Sequence, residues 1–166
     1  MTAPGGASPE PAFATKIVSR AALAARLPAL THPRVFTNGV FDVLHRGHVT
    51  YLARARALGA SLIVGVNSDA SVRRLRKGDD RPVNPLDDRL VVIAALESVS
   101  LVVPFDEDTP LALVLECHPD VIVKGGDYSV GTTVGATEVI AWGGRFEAIP
   151  LVGGRSTSAL IEKIRR

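Results

Sequence analysis

Arg34-Val35-Phe36-Thr37-Asn38-Gly39-Val40-Phe41-Asp42-Val43-Leu44-His45-Arg46-Gly47-His48 is the stretch from which the fold can be read. It opens on a short apolar run suited to a buried strand. It closes on two histidines three residues apart, where an apolar period of three and four begins. A strand passing into a helix through a Gly-bearing loop is the first half of a βαβ unit.

The alternation continues to the C-terminus. Strands are expected over 34–37, 61–66, 101–104, 120–123 and 145–150. Ile63, Val64, Val102, Val103, Val121, Ile122 and Val123 supply the near-continuous apolar runs of strands covered on both faces. Helical spacing falls between them, over 49–58, 86–96, 110–116, 137–142 and 156–164, with one more over 16–27. The expected architecture is α/β: a single domain built on a Rossmann-like, doubly wound, five-stranded parallel sheet. The segment 73–85 has no apolar period and carries Gly78, Pro82 and Pro85, so it reads as a long loop. In such sheets ligands bind beyond the carboxyl ends of the strands where the strand order reverses. The segments 38–48, 67–69, 124–128 and 153–158 follow strands in the way this requires.

Two histidines one helical face apart at a helix N-terminus, with Gly47 between them, make a cradle for an anion. The helix start carries unpaired N–H groups and positive dipole, and a glycine lets a phosphate approach the backbone. Capping or surface duty is the plainer reading of a bare His pair, but Asn38-Gly39 and Asp42 in the same run favour the anion site. Zinc is the competing use of histidine; no Cys or third His stands in the motif. Elsewhere plain readings stand beside functional ones. Lys124 to Tyr128 has the chemistry of a turn, Arg89 could pair with Asp87 or Glu97, and the basic residues Arg73, Arg74, Arg76, Lys77 and Arg81 could be a solvated helix end.

Composition narrows the function classes. The 166 residues are 46% hydrophobic and 22% charged, an ordinary globular balance. The net charge is +2 and 5% of residues are aromatic, which offers little footprint for nucleic acid. No apolar run is long enough to span a bilayer, and the single Cys117 cannot form an intrachain disulfide; both favour a cytoplasmic protein. Residues 1–15, rich in Ala, Pro and Gly, are expected to be a disordered tail, with the catalytic domain over 16–166.

Taken together, 37–51, 65–69, 77–84, 106–110, 123–128 and 155–158 resemble the cytidylyltransferase-like superfamily with its HxGH signature. Within it they resemble the D-glycero-D-manno-heptose 1-phosphate adenylyltransferases, which make ADP-heptose for lipopolysaccharide. The His-Arg-Gly-His element marks the superfamily, while Lys124-Gly125-Gly126-Asp127-Tyr128 and Asp80-Arg81-Pro82-Val83-Asn84 point to the heptose branch. The resemblance implies transfer of AMP from ATP, with Mg²⁺, to heptose 1-phosphate. The same chemistry with CTP, or with another acceptor such as glycerol 3-phosphate, is the alternative. It also implies a homo-oligomer fed by a separate sugar kinase.

By position, the resemblance implies that His45, His48, Lys77 and Arg89 are catalytic. Thr37, Asn38, Gly39, Phe41, Gly47, Asp69, Arg155, Ser156, Thr157 and Ser158 would bind the nucleotide. Asp42, Lys124, Gly125, Asp127 and Tyr128 would bind the sugar phosphate. The last motif of the family usually ends Ser-Thr-Thr, and here it is Ser156-Thr157-Ser158, which keeps a hydroxyl at each position.

Overall fold

The computed structural model describes residues 9–76, 81–151 and 157–164. The apolar runs form strands β1 (Arg34–Gly39), β2 (Ser61–Asn67), β3 (Leu101–Phe105), β4 (Val121–Gly125) and β5 (Arg145–Ile149). All pair in parallel, in the order β3-β2-β1-β4-β5. Successive side chains on a strand point to opposite faces, and the core divides accordingly. Val35, Leu62, Val64 and Val123 pack on one face with Leu52, Ala55, Leu90 and Ile93. Phe36, Ile63, Val103 and Ile122 pack on the other with Leu113, Val114 and Val139. All seven residues of β2 are buried, as a strand covered on both faces demands.

The helices are α1 (Arg20–Arg26), α2 (Arg46–Arg56), α3 (Asp69–Arg74), α4 (Leu86–Ala94), α5 (Leu111–Cys117), α6 (Ala136–Ala141) and α7 (Thr157–Ile164). Among the described residues, no helix is long and apolar enough to cross a membrane. Helix α3 departs from the sequence expectation, which began a loop at Arg73. It is six residues long and Val72 is its one buried hydrophobic, too brief a pattern to show a period; Ser68 caps it by accepting from Ser71 N. The chain also folds before Lys16. Residues Ala12–Lys16 form a 3₁₀ turn, Phe13 packs against the core, and Lys16 Nζ donates to Leu96 O at 3.0 Å. The tail boundary at Thr15 is therefore too late, and the rest of that expectation, residues 1–8, lies outside the described residues.

The chain runs outward from β1 through β2 to β3, then returns to lay β4 on the other side of β1, so the order reverses between β1 and β4. Their ladder covers only Val35↔Val121 and Phe36↔Ile122. Beyond it side chains bridge the two strands. Thr37 Oγ1 and Tyr51 Oη both donate towards Val123 O, at 3.1 and 3.2 Å, and lie 2.7 Å from each other. One buried carbonyl is thereby satisfied where the backbone ladder has opened.

Candidate functional site

Over this opening the β1–α2 loop carries the histidines. At Gly39 a Cβ would stand 3.0 Å from Phe41 Cε2 and press on that ring. Phe41 itself sits at φ +48°, a left-handed conformation that is strained for a bulky residue and tends to occur at functional sites. In that conformation its ring meets His48 edge to face, with centroids 5.5 Å apart and planes at 67°. His48 in turn stacks on His45 at 3.9 Å. Backbone strain, a missing Cβ and two ring contacts thus fix one imidazole.

His45 is the N-cap of α2, and its Nδ1 accepts from Gly47 N at 3.0 Å. An imidazole nitrogen that accepts carries no proton, so the proton of neutral His45 resides on Nε2. The same bond occupies the Gly47 N–H, so in this arrangement Gly47 contributes its lack of a side chain rather than a free donor. Among the described residues, His48 Nδ1 is buried without a hydrogen-bond partner. Burial, and after it the proximity of His45, holds the His48 imidazole down at about 4, so it is neutral near pH 7.

His48 borders two clefts. The first, ≈ 300 Å³, spans the carboxyl ends of β2, β1 and β4. Asn38, Gly39 and Phe41 lie at its centre, Lys124, Gly125, Tyr128 and Leu151 on the β4 side, and Asn67, Leu75, Asp108 and Pro110 on the other. The second, ≈ 430 Å³, lies between His48, Phe41, Arg81, Thr157 and Ser158, at the start of α7. Lys124 Nζ donates to Asn38 Oδ1 at 2.6 Å and to Asn38 O at 3.2 Å, which ties β4 to the end of β1. A neutral imidazole edge between a cleft bearing Lys124 and a cleft bearing Arg81 and two hydroxyls suits an anionic chain of phosphates.

Several expected ligand-binding residues are held by protein contacts, although Asp42 also lines the second cleft. Thr37 is fully buried in the Tyr51 and Val123 cluster. Burial pushes the Tyr51 hydroxyl up to about 12, so it stays protonated. The Asp42 carboxylate is completely covered; it accepts from Val83 N at 2.9 Å and Asn84 N at 2.9 Å and faces Arg81 Nε at 2.7 Å. Arg89 is 1% exposed. Its Nε donates to Asn84 O at 3.1 Å, Nη1 to Val40 O at 2.7 Å and Nη2 to Asp69 Oδ1 at 2.7 Å. The guanidinium therefore fastens the β1–α2 loop, the segment before α4 and the start of α3 to one another, and neither Asp87 nor Glu97 partners it. A role in contacting pyrophosphate does not fit a side chain so placed. Asp69 is held by the same contact, and Asp127 is exposed outside both clefts. Lys77, Arg155 and Ser156 lie outside the described residues.

The sequence does not single out Tyr51 or Asp108, and it marks Asn67 only as the start of the segment 67–69 beyond the second strand. Tyr51 looked like one more apolar position on α2, and Asp108 lay in a run noted only for resemblance. Asn67 ends its strand at the carboxyl edge of the parallel sheet, as the placement of 67–69 implies.

Comparison with known proteins gives a consistent picture. A cytidylyltransferase-like family model matches residues 36–162. The chain is 56% identical over 156 residues to the D-beta-D-heptose 1-phosphate adenylyltransferase of Bordetella bronchiseptica, covering 93% of this chain and 96% of that one. It is 58% identical over 132 residues to the bifunctional protein HldE of Cronobacter sakazakii, covering 80% of this chain but only 28% of that relative's length. Among solved structures, the lipopolysaccharide core biosynthesis protein of Thermoplasma volcanium superposes with a TM-score of 0.59 at 28% identity, over 72% of this chain and 95% of the other.

Proposed function

Since this chain belongs to the cytidylyltransferase-like family, we propose that it transfers AMP from ATP to D-glycero-D-manno-heptose 1-phosphate, releasing pyrophosphate and giving ADP-heptose for lipopolysaccharide assembly. The observation that carries the reading is the His45–His48 stack at the start of α2, over the crevice where strand order reverses. The choice of ATP and of the β anomer follows the name of the Bordetella relative, which this chain covers almost end to end.

In this reading an oxygen of the sugar phosphate attacks the α-phosphorus in line. A P–O bond forms as the bond from the α-phosphorus to its bridging oxygen breaks, and pyrophosphate leaves with the electron pair. The nucleophile is already ionised at neutral pH, so no side chain has to remove a proton. Catalysis then consists of positioning and charge stabilisation. His45 donates from Nε2, and His48 donates from the edge opposite its buried Nδ1 to oxygens of the α-phosphate or the leaving group. Thr157 and Ser158 border the cleft that receives the pyrophosphate end, and Lys77, Arg155 and Ser156 are proposed to converge on it. Asp42 and Arg89 act by holding the loop that carries Phe41 and the histidines.

Mg²⁺, when bound with ATP, would supply neutralisation of the phosphate charge. Asp42 and Asp69 are each engaged by an arginine, and Mg²⁺ is proposed to arrive on the triphosphate. We further place the reaction in the cytoplasm, in a homo-oligomer that takes its sugar 1-phosphate from a separate kinase.

Phosphorus NMR of a reaction with ATP, Mg²⁺ and β-heptose 1-phosphate tests the assignment. Growth of a sugar-linked diphosphate signal in step with inorganic pyrophosphate is expected; release of orthophosphate from the γ-position would overturn it.

A further inference from the structure

The first cleft is chemically uneven. Its β4 side offers a cation, Lys124, whereas the end over β2 and β3 offers Asn67 and Asp108 beside the apolar Leu75 and Pro110. Asp108 is paired with Arg74, whose Nε donates to its Oδ1 at 2.6 Å, so within the lining of this cleft the cation stands on the β4 side, and the anionic part of a ligand belongs towards His48 and Lys124. What suits the β2 end is a group rich in hydroxyl donors.

Asn67 is built for such a group. It ends β2 in register with Phe105 and is 5% exposed. Its Nδ2 donates to Ser71 Oγ at 3.0 Å. The hydroxyl of Ser71, itself 1% exposed, donates to Glu107 O at 3.2 Å. Because that single proton is directed at Glu107, Ser71 Oγ must act as acceptor towards Asn67, which fixes the amide the right way round. Asn67 lines the first cleft, and its Oδ1, which accepts no hydrogen bond among the described residues, is the acceptor it can offer there once Nδ2 is held by Ser71.

We infer that Asn67 is a specificity-determining residue that accepts a hydrogen bond from a hydroxyl of the sugar acceptor. The inference rests on the sugar-phosphate reading above. It adds that the sugar's hydroxyls face the ends of β2 and β3, away from the Lys124–Tyr128 segment. Ser71 is the positioning residue that sets the amide.

Steady-state kinetics of wild type, Asn67→Ala and Ser71→Ala with ATP and β-heptose 1-phosphate test it, with ATP affinity measured separately by calorimetry without acceptor. Loss of one neutral hydrogen bond is expected to raise the acceptor KM of Asn67→Ala about 5- to 10-fold while the ATP Kd stays within about 2-fold of wild type, which also reports an intact fold. Ser71→Ala should shift the acceptor KM in the same direction by less. If wild type turns over and Asn67→Ala leaves the acceptor KM and kcat unchanged, the inference fails alone. Equal weakening towards ATP and sugar in both variants would reassign Asn67 to a structural role and also overturn it. If wild type does not turn over heptose 1-phosphate, the sugar-phosphate reading fails and the inference falls with it.

Discussion

Replacing His48 by Asn should remove a pH-dependent loss of stability. Burial, and then His45, holds the folded-state His48 at about 4, against about 6.5 in an unfolded chain. The unfolded state therefore takes up the proton first. Stability from this source is whole above pH 6.5, declines as the pH falls, and is fully lost below about 4. A gap of about 2.5 pH units corresponds to about 3 kcal/mol in all, of which about 2 kcal/mol should be gone by pH 5. Urea unfolding followed by far-UV circular dichroism at pH 7.5, 6 and 5, without nucleotide, measures it. Wild type should lose about 2 kcal/mol more than His48→Asn across that range. Because the two imidazoles stack, the difference belongs to the His45–His48 pair. Bound ATP should shrink it, since phosphate charge favours the imidazolium. Parallel curves for the two proteins would refute the idea that this imidazole is kept neutral by its surroundings.

Other perturbations follow from the buried contacts. Arg89→Ala leaves Asp69 without its cation and two carbonyls without a donor, so a loss of about 3–5 kcal/mol is expected, or about 10 °C in Tm by calorimetry; Arg89→Lys, which cannot fork to three acceptors, should fall between, and a wild-type Tm for Lys would show the fork to be dispensable. Tyr51→Phe removes a hydroxyl whose partner Thr37 keeps its own bond to Val123 O, so a cost of about 1 kcal/mol in denaturant unfolding is expected with the ATP KM unchanged; a large rise in that KM would mean that Tyr51 touches nucleotide.

The sheet was legible because five β-branched runs separated by helical periods leave few topologies, and right-handed parallel crossovers then fix where the crevice lies. The histidine loop was legible because glycine, helix start and His spacing point to one chemistry. Burial of individual polar residues was not. Arg89 and Asp42 read as ligand contacts because nothing local in the sequence says that their partners are Val40 O, Asn84 and Asp69, up to 49 residues away. Thr37 likewise appeared to face the ligand until the short β1–β4 ladder turned its hydroxyl onto Val123 O. Helix α3 escaped notice because six largely polar residues show no period, and its cap, Ser68, is also a loop residue.

The most direct measurement is steady-state pyrophosphate release by wild type and His48→Ala, with Mg²⁺, ATP or CTP, and each anomer of D-glycero-D-manno-heptose 1-phosphate. Turnover by wild type with ATP and the β anomer is expected, with kcat reduced about 10²- to 10³-fold in a folded His48→Ala. Near-wild-type turnover by that variant, or silence of the wild type with ATP and both anomers, would contradict the assignment of this site to adenylyl transfer.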